Sequence, residues 1–354
     1  MYLMGRQLEL HDRDKFEIFI YDYGVRNNHG YRQRAENAAD VYRQVSDKQN
    51  TEIAEIARAD GLDIAVDLKG YTKGNRLNLF NSRLAPVHVA YLGYPGTTGL
   101  ETMDYMVADT VTVPEKHRKH FSEKIMYMPD CYQPNDNKRT ASRVPSRAEA
   151  GLPEDAFVFC SFNSPYKVSP EEFDIWMKLL KLVPDSVLWF YAPRAETKAN
   201  ILKEAKKRGV AADRIVFAGF AGQEDHLARL QLADVFLDTF AVNAHTTASD
   251  ALWAGVPVVT KTGKQFAARF ATSILNAAGL RELAASTPQR YQALALKLAR
   301  NPDYLADVKA RVKEGIATGP LYDTERFTRN FEALMEKALD RYNTGLEPDH
   351  ISLV

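Results

Sequence analysis

The chain has 354 residues, 45% apolar and 26% charged, with Lys plus Arg and Asp plus Glu equal at 46 each. That is long enough for two domains and gives no ground for a nucleic-acid or acidic-membrane partner, so any anion site has to be local. No run of about 18 apolar residues occurs, Arg6 brings charge early, and Cys131 with Cys160 fits no zinc or redox spacing, so the expectation is a cytoplasmic protein without membrane span, signal peptide, structural zinc or disulfide framework.

Short β-branched and aromatic runs alternate with stretches of helical period, the pattern of parallel sheets covered by helices, so the fold class is α/β. The first strands are predicted at Phe16–Tyr21, Ile64–Leu68, Val87–Leu92, Tyr105–Ala108 and Ile125–Tyr127, with a helix at Thr51–Ala59. Asp12-Arg13-Asp14 has a form that holds a divalent ion in some transferases, but it precedes its strand and reads better as a solvated turn. Two Gly-rich turns, Lys69–Gly74 and Leu92–Gly99, follow strands. Their backbone amides suit sugar hydroxyls or phosphate oxygens, and equally suit tight turns that need positive φ. His117 and His120 share a helical stretch without a third ligand, which favours a surface pair over a metal site.

From Pro129 to Pro153 the chain turns polar and irregular, which suits a surface linker. The expected division is a first lobe at 1–128, a linker at 129–153, a second lobe at 154–320, and a C-terminal helix and tail at 321–354. Strands of the second lobe are predicted at Phe157–Phe162, Val187–Tyr191, Ile215–Phe217, Val235–Leu237 and Val256–Thr260 as one doubly wound unit. Ser169-Pro170-Glu171-Glu172 opens a buttress helix that runs on through Asp174–Leu182. Helices follow at Pro288–Arg300, Tyr304–Glu314 and Thr324–Tyr342, before a polar, frayed Asn343–Val354. Two such lobes place a cleft between the carboxyl ends of their sheets, where ligands of these folds bind.

Three loops of the second lobe carry candidate chemistry. Phe162–Lys167 ends in a lysine able to stabilise a leaving diphosphate, or simply in a solvated one. Ala218–Arg229 has glycines that permit close approach to a flat base, with His226 and Arg229 on one helical face, and alone reads as a plain loop and helix. Asp238–Asp250 surrounds a helix start with small residues and the Thr246, Thr247 hydroxyls, an anion site in which Asp250 sits where ribose hydroxyls would lie. The plain alternative is a helix capped by Asn243 or Thr246. Gly-x-Ser-x-Gly, Walker and Gly-x-Gly-x-x-Gly patterns are lacking, which disfavours hydrolase, nucleotide-hydrolysing and dinucleotide readings.

Taken together, these loops resemble the catalytic region of the O-linked N-acetylglucosamine transferase family, which includes the Spindly branch. The resemblance rests on Asp63–Thr72, Ala85-Pro86-Val87, Leu92–Gly99, Met103-Asp104-Tyr105, Asn163 with Tyr166-Lys167, Gln231–Asp234, Leu237-Asp238-Thr239, His245-Thr246-Thr247 with Asp250, and Leu252–Gly255, and it covers nearly the whole chain. It implies a GT-B architecture of two Rossmann-like parallel-sheet lobes with an interdomain cleft. The implied activity is inverting, metal-independent transfer of N-acetylglucosamine from its UDP donor to Ser or Thr hydroxyls of proteins, with no cofactor.

By position, the resemblance assigns Lys167 as the catalytic group on the diphosphate, and His245, Thr246 and Thr247 to the phosphates. Asp250 and Gln223 fall at the ribose, Ala221, His226 and Arg229 at the uracil, and Leu92, Gly93 and Pro95 near the sugar. His245 with Asp250 favours the UDP branch over the Spindly fucosyltransferases, which use GDP-fucose. Gln223 stands where animal enzymes carry a lysine and Ser164 where they carry a glutamine, so weaker donor contacts are expected. Family catalytic regions open with a strand and a His-Pro loop preceded by tetratricopeptide repeats. This chain begins after that point, so the expectation is a fragment with an incomplete first lobe and Met1–Leu10 as the next helix. A catalytically inactive UDP-sugar-binding scaffold, a GDP-fucose enzyme and a UDP-sugar 2-epimerase are the competing readings.

Overall fold

Every residue of Val87–Ala90 and Tyr105–Asp109 is buried, His88 and Asp109 included, the mark of parallel strands covered on both faces. The computed structural model describes residues 1–24 and 30–353. The chain divides into two units, one of residues 1–137 with 320–354 and one of residues 138–319.

The first unit contains β1 (Phe19–Asp22), β2 (Val41–Gln44), β3 (Ile64–Asp67), β4 (Val87–Ala90), β5 (Tyr105–Asp109) and β6 (Lys124–Met128). The second contains β7 (Phe157–Ser161), β8 (Ser186–Tyr191), β9 (Ile215–Ala218), β10 (Val235–Leu237), β11 (Val258–Lys261) and β12 (Ala284–Ala285). The tail returns to the first unit with β13 (Ile351–Ser352). All described pairings are parallel, in sheets of order β1-β2, β13-β6-β5-β4-β3 and β12-β11-β10-β7-β8-β9.

Several boundaries differ from expectation, each for a local reason. The first strand starts at Phe19 instead of Phe16, and its partner β2 was not anticipated because Arg43 and Gln44 give it a polar cast. The linker expected at 129–153 does not run over the surface at its start. Cys131–Asp136 is buried, with Tyr132 N–H donating to Asp109 at 2.9 Å and Asn135 Nδ2 donating to the Leu321 carbonyl at 3.1 Å, so these groups are paired within the protein and not with solvent. The helix Thr324–Asn343 is not a separate tail. It buries Phe327, Phe331, Leu334 and Met335, and Glu332 holds buried His11 at 2.9 Å, all within the first unit. Nor is Asn343–Val354 frayed: Ile351 and Ser352 pair with Met126 and Tyr127, Ile125 N–H donates to His350 Nδ1, and Lys337 donates to the Ser352 carbonyl. The tail thus covers what is otherwise the open edge of β6. Val354 lies outside the described residues.

The second unit holds to pattern. Ser169 and Glu172 form a reciprocal capping box at the start of the helix Pro170–Leu182, with proline in its first turn. That helix buries Trp176, whose indole N–H donates to the Tyr291 hydroxyl at 3.0 Å. Tyr291 in turn donates to the Asp238 carbonyl at 3.1 Å, which ties the end of β10 to the helical layer.

Candidate functional site

The second sheet reverses its strand order between β7 and β10, and crevices of parallel sheets open at such a point, outside the carboxyl ends of the strands. The loops after β7 and β10 carry Lys167 and His245–Thr247.

One buried carboxylate organises both loops. Asp238, at the end of β10, is wholly buried. Its Oδ1 accepts from Thr239 N–H (2.7 Å), Ala244 N–H (2.6 Å) and Asn163 Nδ2 (2.9 Å), and its Oδ2 from the Thr260 hydroxyl. Burial pushes its pKa up to about 6, against the pull of these donors. Asn163, from the β7 loop, also donates to Thr239 Oγ1 at 2.8 Å and accepts from the Thr247 hydroxyl at 2.8 Å. The two loops are therefore cross-linked through buried polar groups.

The helix Thr246–Trp253 starts at His245, which makes no side-chain cap bond. Neither Asn243 nor Thr246 caps it: Asn243 Nδ2 donates instead to the Thr239 carbonyl at 2.7 Å. The first-turn amides keep their capacity to donate to an anion. The hydroxyl pair is split, with Thr247 turned inward to Asn163, while the Thr246 side chain has no hydrogen bond among the described residues. Lys167 reaches the same place, its Nζ 3.4 Å from the Asn243 carbonyl. Burial lowers the lysine pKa, and the Asp238 charge opposes that shift. His245 packs on Phe270 with ring centroids 4.5 Å apart, and burial followed by the Lys167 charge brings its pKa down to about 3, so the ring is neutral at neutral pH.

One turn along, Asp250 is buried and its Oδ1 accepts from Arg139 at 2.6 Å and from Gln223 Nε2 at 3.3 Å. Burial raises its pKa to about 6 and Arg139 draws it back. Arg139 also lies 5.2 Å over the Trp253 ring.

Beside it, Arg229 donates to the Gly219 carbonyl at 2.8 Å and through two nitrogens to His226 Nδ1 at 3.3 and 3.2 Å, with its guanidinium 4.8 Å over Phe162. That makes Nδ1 the acceptor and leaves the His226 proton on Nε2. Burial, with the Arg229 charge, lowers the His226 pKa to about 4, so it presents a neutral ring. Ala221 is half-buried at the start of this loop. A cavity of about 380 Å³, lined by Trp189, Gly219, Asp225, Arg229, Ser142 and Arg143 among others, adjoins these residues, and the Trp189 indole nitrogen beside it has no hydrogen-bond partner among the described residues.

Leu92, Gly93 and Pro95 belong to the first unit. Leu92 has φ 66, the only non-glycine in the left-handed region among the described residues. A Cβ on Gly93 would lie 2.1 Å from the Leu68 carbonyl oxygen, so only glycine allows this approach between the two Gly-rich turns. Asp67 accepts from Lys69 N–H and Gly70 N–H, Tyr71 donates to the Thr98 carbonyl, and buried Glu123 accepts from Thr97 and Thr98. Asp12 merely accepts the Asp14 N–H, and no three His, Cys, Asp or Glu side chains gather as a metal site among the described residues.

The sequence reading assigned no role to Asp238, Asn163 or Arg139. A carboxylate in the apolar run Ala248–Ala254 was the available signal for Arg139, since a buried charge requires a partner.

The sequence profile of glycosyl transferase family 41 matches residues 1–143 and 135–331. The chain is 36% identical over 360 residues to the probable UDP-N-acetylglucosamine–peptide N-acetylglucosaminyltransferase SEC of Arabidopsis thaliana, covering 100% of this chain and 37% of that protein. It is 30% identical to the UDP-N-acetylglucosamine–peptide N-acetylglucosaminyltransferase of Caenorhabditis elegans, covering 99% of this chain and 40% of that protein. A solved mutant of the Thermobaculum terrenum O-GlcNAc transferase superposes with a TM-score of 0.90 at 31% identity, over 97% of this chain and 66% of that one. The chain thus spans under half the length of these curated relatives, and its two parallel-sheet units are of the GT-B class.

Proposed function

Because the chain belongs to glycosyl transferase family 41, we propose that it transfers N-acetylglucosamine from UDP-N-acetylglucosamine to Ser or Thr hydroxyls of proteins, with inversion and without a metal ion. The observation that carries this reading is the convergence of Lys167 Nζ, the uncapped start of the helix Thr246–Trp253 and the Thr246 hydroxyl at the switch point of the second sheet.

An acceptor hydroxyl attacks the anomeric carbon, the bond to the diphosphate breaks, and negative charge grows on the leaving UDP. Lys167, the Thr246 hydroxyl and the first-turn amides meet that charge, with no reorganisation at the moment of reaction because Asp238 and Asn163 have already set the loops. Asp250 accepts from the ribose hydroxyls, with Gln223 beside it. The neutral His226 ring and Arg229 hold the uracil together with the Ala221 backbone, and Leu92, Gly93 and Pro95 serve the sugar. These roles come to the chain from its family resemblance and fit the hydrogen-bonding capacity of each group.

The test is transfer of radiolabelled N-acetylglucosamine to a Ser-containing protein in the presence of EDTA, beside calorimetric titration with UDP. Transfer that survives EDTA and UDP binding without divalent ions are expected. Failure to bind UDP overturns the donor assignment, and binding without transfer reduces the chain to a UDP-binding module.

A further inference from the structure

We infer that Arg139 is a positioning residue for the nucleotide, acting through Asp250 to fix which carboxylate oxygen is offered to the ribose. This inference rests on the donor reading proposed above.

The geometry is one-sided. Arg139 and Gln223 both donate to Asp250 Oδ1, at 2.6 and 3.3 Å, while Oδ2 carries no hydrogen bond among the described residues. One oxygen is anchored and the other is left to accept from a vicinal diol. The pair is shielded, each side chain only 4% exposed, and a charge-assisted bond in such a setting is strong and directional. A free carboxylate at that depth would neutralise by taking up a proton, and a neutral carboxyl is a poorer acceptor for hydroxyl groups. The Arg139 guanidinium is itself braced over the Trp253 ring, which belongs to the same helix as Asp250.

The segment that carries Arg139 is fastened to the other wall of the nucleotide site. Thr140 Oγ1 donates to Glu224 at 2.8 Å, Ser142 N–H donates to the Glu224 carbonyl at 3.2 Å, and Ser142 Oγ donates to Asp225 at 2.7 Å. Glu224 and Asp225 stand in the first turn of the helix Gln223–Leu230, which also bears His226 and Arg229. Residues 139–142 therefore form a strap that links the ribose carboxylate to the base-side helix, and Arg139 is the end of that strap which reaches Asp250.

The test titrates the whole chain calorimetrically with UDP and with 2′,3′-dideoxy-UDP. The unaltered chain is expected to prefer UDP by about tenfold or more. Arg139→Met should lose about tenfold in UDP affinity while binding the dideoxy analogue as the unaltered chain does, so that the preference falls below about threefold. Arg139→Lys should restore most of the preference. Arg139→Gln, which keeps a donor at the buried end, provides the same comparison with Arg139→Lys if the methionine variant does not fold. Equal weakening of both ligands, or an unchanged preference, overturns the positioning role and leaves the donor reading standing. No UDP binding by the unaltered chain overturns both.

Discussion

The two large sheets differ in one respect that decides where chemistry can sit. In the first unit the order β3-β4-β5-β6-β13 advances in one direction, and the loops at the strand ends spend their polar groups on one another: Asp67 on Lys69 and Gly70, Tyr71 on Thr98, Thr97 and Thr98 on Glu123. In the second the order turns back between β7 and β10, and Asp238 draws donors from the β7 loop, its own loop and β11. A carboxylate that is satisfied from three segments holds a wide loop open, whereas one satisfied by its own neighbours closes a tight turn. Lys167 of the β7 loop and the helix start that follows the Asp238 loop come together there.

The strongest way to break this comparison is Asp238→Asn. The Asn oxygen keeps at most the three donors now on Oδ1, without their charge assistance, and its NH2 faces the Thr260 hydroxyl. Weakening four buried bonds at once should cost about 3 kcal/mol, read as a lowered denaturant midpoint of the second unit. A loss below about 1 kcal/mol would mean that the loops do not depend on it. Next in size, Lys167→Ala removes a contact that tightens as charge develops, so turnover should fall about 10²-fold with UDP affinity changed far less. Steady-state kinetics with an unaltered kcat would remove Lys167 from the mechanism.

The closed loops of the first unit give smaller numbers. Gly93→Ala forces a Cβ against the Leu68 carbonyl and should cost about 2 kcal/mol by overpacking. UDP affinity in calorimetry should be unchanged, since every proposed UDP contact lies in the second unit. Smallest is Asp67→Asn. It unpairs at most one of two local backbone donors and should cost about 1 kcal/mol in thermal or denaturant unfolding. If it proves as damaging as Asp238→Asn, the distinction between the two carboxylates falls.

Much of the fold was legible in the chain. Val235–Leu237 and Pro288–Arg300 coincide with a strand and a helix, and the Ser169–Glu172 cap stands where its spacing placed it, because strand composition, helical period and capping are local properties. The weak points were short or polar strands. Val41–Gln44 and Ile351–Ser352 carry little hydrophobic signal and exist because a neighbouring strand offers an unpaired edge. The buried Cys131–Asp136 segment was equally hidden, since its polar side chains resemble those of a solvated linker until their partners are known.

At the site the same division holds. Lys167, the threonine pair, Asp250, His226 and Arg229 were candidates by residue type and by the place of each loop after a strand, but residue type alone left plain loop and helix readings open, and it was the family resemblance that singled them out. By itself, the sequence determined an α/β chain of strand–loop–helix units, with candidate anion-binding loops in the second half. Only the tertiary structure decided that Thr247 turns inward while Thr246 does not, that Asp238 and Asn163 cross-link two loops, and that Arg139, 111 residues from Asp250, is its counterion. The reason is physical: a buried charge must find its partner in space, and distance along the chain carries no record of which one it finds.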